Sequence, residues 1–240
     1  MILNSKAIKT FFSSCRYLIF AVTTLVAGSQ ITASPMVYSA TIQTNTGKDI
    51  YFKDAVGEKA SAYYIPAATS SNKVLVILQG SGNELRSEAA DWHNELGGIH
   101  VIVPYLNLPE STDLSANSSR LKAENTIAGL INYLGNEKEF YFLGFDSYVQ
   151  WAFEACLNSG SKAKACVLFN EIPDLVNTDK KLKANVFLAH QNLNSEPNVR
   201  RLNSFSEHVK NADRTLELHE AHAAVSRMKS IAYLKNAMVK

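Results

Sequence analysis

The sequence predicts an α/β domain built on an open, mostly parallel sheet with helices on both faces. Three observations point to it. Val74–Gln79 (VLVILQ) is a continuous apolar run of strand length, the pattern of a strand buried on both faces. From about residue 38 onward, strand-like segments alternate with helix-like ones, which requires parallel crossovers. The 240 residues are 46% hydrophobic and 19% charged, an ordinary globular composition that excludes a disordered or fibrous chain.

The elements follow in order. Tyr38–Gln43 and Ala62–Ile65 read as strands, and Pro66 to Asn72 as a turn. After the strand Val74–Gln79, Glu84–Leu96 carries helix-forming residues and stops at Gly97–Gly98, a helix-end signal. Ile99–Val103 is the next buried strand, closed by Pro104. Ser118–Leu134 places Ile127, Leu130, Ile131 and Leu134 on one helical face. Glu139–Leu143 reads as a strand, Ser147–Leu157 as a helix, and Cys166–Phe169 and Val186–Ala189 as strands. Pro197–Lys210 reads as a helix, Thr215–Leu218 as a short strand and Val225–Val239 as a terminal helix.

Residues 1–33 form a separate unit. Lys6, Lys9 and Arg16 precede the apolar run Leu18–Gly28, which is too short for the roughly 20 residues of a membrane-spanning helix. Small residues follow, with Ser29 or Ala33 just before a candidate cleavage point. The segment therefore reads as a secretory signal peptide, leaving 34–240 as a single domain in the periplasm or outside the cell. Its removal changes the charge. Taking these 3 residues from the 24 Lys and Arg leaves 21 against 22 Asp and Glu. A near-neutral mature chain has no electrostatic footprint for nucleic acid or for an anionic membrane. Cys15 falls in the signal. Cys156 and Cys166 remain, as a bridge or as two buried small side chains.

In a parallel sheet, ligands bind beyond the carboxyl ends of the strands. The residues there are Gln79–Gly82, Tyr105, Asp146–Ser147, Asn170–Asp174, His190–Asn194 and His219–His222. Leu143-Gly144-Phe145-Asp146-Ser147-Tyr148 lies between a strand and a helix, where α/β-hydrolases carry G-x-nucleophile-x-G. Asp146 takes the tip, and Tyr148 replaces the second glycine. An aspartate there is equally a helix N-cap. Ser147 would serve as the nucleophile in a register shifted by one. Gln79-Gly80-Ser81-Gly82 suits an oxyanion loop, since glycine lets backbone N–H groups approach a ligand. His219-Glu220-Ala221-His222 follows the last short strand, the usual place of the catalytic base in the chain order that ends with the histidine. Three cysteines exclude a four-cysteine zinc site, and no metal or other cofactor is expected.

Together these pieces resemble the dienelactone hydrolase family of α/β-hydrolases, from about Glu58 to Lys240. The matching segments are Ala62-Tyr63-Tyr64-Ile65-Pro66, Val74–Gly82, Gly97–Pro104, Gly144–Tyr148, Phe169–Pro173 and Ala221-His222-Ala223. The resemblance implies an α/β-hydrolase fold, and the short stretch from Phe169 to Ala184 leaves no room for a large cap. It further implies a site in which Asp146 replaces the family's cysteine, Gln79 stands at its first-loop glutamate and Asn192 or Asn194 stands at its acid, while His222 keeps its identity. Asn194 is the candidate third member beside Asp146 and His222; Glu171 and Asp174 are further acids near the site. Ser147, Gln79, Gly80 and Ser81 are the candidate oxyanion or substrate-binding residues. The expected activity is hydrolysis of a small ester, lactone or related carbonyl compound, with Asp146 as nucleophile or as base on water. A non-catalytic binding module for a small molecule or a protein is the alternative. The expected partner is a small molecule, and the expected state a monomer or homodimer, with no membrane contact after signal cleavage.

Overall fold

The computed structural model describes residues 47–79, 84–106, 117–175, 180–220 and 223–239. The signal segment and the strand expected at Tyr38–Gln43 lie outside these residues. A hairpin opens the described chain: β1 (Lys48–Lys53) and β2 (Lys59–Ile65) pair antiparallel. Its turn is held by Asp54, whose Oδ1 accepts the N–H groups of Val56 (3.0 Å) and Glu58 (2.8 Å). Then come β3 (Lys73–Leu78), α1 (Glu84–Glu95), β4 (His100–Pro104), α2 (Asn117–Leu134) and β5 (Glu139–Phe145). A one-turn 3-10 segment, Asp146–Tyr148, leads into α3 (Val149–Asn158). The chain continues through β6 (Ala163–Phe169), β7 (Asn185–His190), α4 (Glu196–Asn211), β8 (Leu216–Glu220) and α5 (Ala223–Val239).

The eight strands form one sheet in the order β1-β2-β4-β3-β5-β6-β7-β8. The pairs β1·β2 and β2·β4 are antiparallel, and every pair from β4 to β8 is parallel. The predicted class is therefore the observed one, with differences in the bounds of several strands such as β6, which begins at Ala163, and at the sheet edge. β1 was not anticipated. Only Ile50 and Phe52 of its six residues are buried, so its signal is two inward positions among charged neighbours, as expected of an edge strand. β2 also begins three residues earlier than the apolar run suggests, because pairing with β1 carries it back to Lys59.

Alternation along the central strands feeds two cores. Val74, Val76 and Leu78 pack with residues of α2, α3 and α4 such as Ile127, Phe153 and Phe205. Leu75 and Ile77 pack on the other face with Trp92 of α1 and Leu234 of α5. Charged groups join helices across each layer. Arg227 of α5 lies 4.5 Å from the Trp92 ring and bonds Glu88 (3.2 Å) and Glu95 (3.3 Å) of α1. Between α2 and α3, Arg120 reaches the buried Glu154 at 2.9 Å. Cys156 and Cys166 are buried free thiols. Burial drives the Cys166 thiol well above its ordinary value, and the neighbouring Cys156 adds to this.

Three histidines sit where burial disfavours their charge. His100, His190 and His208 all titrate below the ordinary 6.5, chiefly through desolvation. The unfolded chain therefore takes up these protons first, and their contribution to stability falls as pH drops through 6.5. Glu154 acts in the opposite sense. Burial raises its carboxyl above 4.5, so its contribution is lost as pH rises through the folded value. His208 isolates the histidine effect, since its buried Nε2 has no hydrogen-bond partner among the described residues. His208→Phe keeps a ring beside Phe153 and removes that nitrogen. We expect it to stabilise the fold by about 1 kcal/mol at pH 7.5, and by more at pH 5.5. Urea denaturation at the two pH values measures both gains; equal gains would show that His208 does not titrate differently in the fold.

Candidate active site

Parallel register brings several strand ends to one level. Leu78 pairs with Gly144, Phe145 with Phe169, Phe169 with Ala189, and His190 with Glu220. Gln79, Asp146, Asn170 and the turn after His190 thus emerge at the same end of the sheet. This is the end at which an α/β sheet binds ligands.

The sharpest feature there is the turn from β5 into α3. Asp146 has φ +49°, in the left-handed region that costs a non-glycine residue conformational energy. It is exposed, at the tip of the turn. The turn is tight because α3 lies almost against β5. A Cβ on Gly144 would stand 2.6 Å from Ala152 Cβ, 3.0 Å from Val149 Cα and 3.2 Å from the Tyr148 carbonyl oxygen. Glycine two residues before the tip is therefore a steric requirement. The second glycine of the pattern is not required here. Tyr148 has ordinary helical dihedrals, φ −86° and ψ −6°, and its ring packs edge-on to Trp151 at 5.3 Å. Partial burial raises its phenol above the usual value. The N-cap alternative for Asp146 finds no support in the bonding: among the described residues its carboxylate accepts from the Asn170 side chain and from no backbone N–H of the following turn.

Asp146 is instead bonded sideways. Asn170 Nδ2 donates to its Oδ1 at 2.9 Å. Asn170 is also left-handed, at φ +71°, and its N–H donates to the Ala189 carbonyl at 2.8 Å. One residue earlier on each strand, the rings of Phe145 and Phe169 stack at 5.0 Å, 7° from parallel. The sequence places Asn170 only within the strand-end segment Asn170–Asp174, without a role of its own. The available signal was its place one residue past the strand beside the turn, and its tolerance of the left-handed region.

The other described candidates make no hydrogen bond to Asp146 among the described residues. Ser147 is exposed beside Asp146, and Gln79 is half-buried just past β3. Asn194 is exposed in the turn after β7, and no hydrogen bond joins it to Asp146 among the described residues. Asn192 donates its N–H to His190 Nδ1 at 3.0 Å. Glu171 and Asp174 both face Arg201, at 3.7 and 3.0 Å, so neither is a free acid. Gly80, Ser81 and His222 lie outside the described residues. His219 is committed to structure: Nε2 lies 2.7 Å from Glu217, Nδ1 lies 3.0 Å from Lys229, and the ring stacks on Phe187. Among the described residues, no three His, Cys, Asp or Glu converge as metal ligands. A cleft of about 300 Å³ between α2 and α3, lined by Ile127, Ile131 and Lys162, lies toward the opposite end of the sheet.

Sequence comparison matches no family model and no curated protein. Solved structures do match. A dienelactone hydrolase-like promiscuous phosphotriesterase from metagenomic libraries superposes with TM-score 0.58 at 12% identity, over 79% of this chain and 96% of its own. A Thermogutta terrifontis esterase with propionate bound gives 0.57 at 14%, over 80% and 93%. A Bacillus cereus carboxylesterase gives 0.56 at 14%, over 81% and 96%. At such identities the likeness establishes the architecture: the chain has the α/β-hydrolase fold.

The turn yields a stability test. Gly144→Ala forces α3 away from β5, and we expect a loss of about 1–3 kcal/mol, read as a lower thermal midpoint. An unchanged midpoint would show that the contact is not tight.

Proposed function

We propose that this protein hydrolyses small esters or lactones, with the Asp146 carboxylate as the base that activates water. The observation that carries this reading is an exposed aspartate at φ +49° on the tip of a strand-to-helix turn in an α/β-hydrolase fold. The dienelactone hydrolase-like and esterase structures that share the fold support the substrate class.

Leaving-group chemistry favours base over nucleophile. A carboxylate adding to an ester carbonyl gives a tetrahedral adduct that expels the carboxylate far more readily than an alkoxide, because a carboxylic acid is much the stronger acid. Water does not face this reversal. Asp146 takes a proton from water as the water oxygen bonds to the carbonyl carbon, and the carbonyl π pair moves onto oxygen. Collapse restores the C=O bond and breaks the bond to the alkoxide. The alkoxide takes a proton from the His222 imidazolium, and the Asp146 carboxyl proton then returns His222 to its charged form. An aspartate and an imidazolium favour each other's charge, which sets the resting state of the proposed pair as carboxylate and imidazolium. His222 enters from the chain order, as the second residue past β8. The Ser147 N–H and the 79–81 loop are the proposed donors to the oxyanion, and Asn194 a polar neighbour of His222. Residues 1–33 direct the protein to the periplasm or the exterior.

Purified mature protein is assayed with p-nitrophenyl acetate and a dienelactone, beside Asp146→Ala and His222→Ala. We expect kcat/KM to fall by about 100-fold or more in each variant. A single turnover in ¹⁸O-water should label the product acid and leave Asp146 unlabelled. Equal trace rates in all three proteins would sink the hydrolase reading, and label in Asp146 would move the mechanism to nucleophilic attack.

A further inference from the structure

The geometry points to Asn170 as the positioning residue that selects which oxygen of Asp146 meets the substrate: its carboxamide holds Oδ1 and leaves Oδ2 for chemistry. This inference rests on the hydrolase reading of the Asp146 site.

The chain leaves two neighbouring parallel strands at the same level, one residue past the pair Phe145↔Phe169. Both exit residues, Asp146 and Asn170, are left-handed. Glycine would serve at either exit if backbone conformation were the only demand. Asparagine at 170 accepts the same dihedrals and adds a donor, used at 2.9 Å on Asp146 Oδ1. An ionised carboxylate only accepts, so Nδ2 must be the atom that faces it. Oδ2 has no hydrogen-bond partner among the described residues. A neutral amide is suited to this task. A lysine or arginine would pair with the carboxylate and weaken it as a base, and a second carboxylate would hold the proton that it must release.

Asn170 is itself held firmly. Its N–H bonds Ala189, and the chain after it is anchored through the buried Ile172. Arg201 of α4 donates to the Ile172 carbonyl and lies 3.0 Å from the Asp174 carboxylate. From α3, the Gln150 carboxamide meets both the N–H (2.7 Å) and the carbonyl (3.1 Å) of Asp174. Two helices therefore brace the segment that carries the amide. Random orientation of Asp146 would divide its population between the two oxygens and between rotamers; a braced donor removes that division.

Two variants separate positioning from folding. Asn170→Gly keeps the left-handed backbone and deletes the amide. We expect a folded protein whose kcat falls about tenfold with little change in KM. Crystal structures of both proteins should show the Asp146 carboxylate leaving its place in the variant. Asn170→Asp keeps the backbone and sets a second carboxylate against Asp146. We expect the acid limb of its kcat/KM profile to move upward by about one pH unit or more. Wild-type kcat in the glycine variant with Asp146 unmoved, or an unshifted acid limb, would overturn the assignment. The structural comparison needs no turnover. An inactive wild-type protein thus removes the hydrolase reading alone, while an unmoved Asp146 removes the positioning role alone.

Discussion

The close approach of α3 to β5 at Gly144 is the constraint on which the site depends. With 2.6 Å between an added Cβ and Ala152, the helix can start only where the chain reverses at once. That reversal puts Asp146 into the left-handed region and lifts its side chain above the sheet. The strain is sustained because the parts around it are rigid: β5 is buried between β3 and β6, and Val149, Trp151 and Ala152 anchor the first turn of α3 in the core. A local cost of roughly 1–3 kcal/mol is small beside what such burial contributes.

Among the described residues, the Asp146 carboxylate is not held by a cationic side chain. Several acids lie near the carboxyl ends of the strands, yet most are committed. Glu171 and Asp174 face Arg201, and Glu217 is bonded to His219. Asp49, near the far edge, is shared by Arg86 and Tyr105. Asp146 receives only a neutral amide among the described residues.

Much of the architecture was legible because buried parallel strands leave an unambiguous mark. Val74–Gln79 could hardly be anything else, and β3 is observed at Lys73–Leu78. The helix expected at Ser118–Leu134 is α2, found one residue longer. Edge elements were harder to read. β1 buries only Ile50 and Phe52, and charged residues dominate its sequence. The polar site was read least well. A residue such as Asn170 looks like any loop asparagine until its neighbour across the sheet is known.

Sequence alone determined the layered α/β class, the order of its central elements and the turn at Gly144–Tyr148, because hydrophobic period and glycine placement are local properties of the chain. Tertiary structure alone decided what each polar group faces. Parallel register places Asn170, 24 positions away, against Asp146, gives Arg201 to Glu171 and Asp174, and turns His219 to Glu217 and Lys229. Apart from Glu217–His219, two residues apart on β8, these pairings join elements separated in the chain, and no spacing along the sequence encodes them.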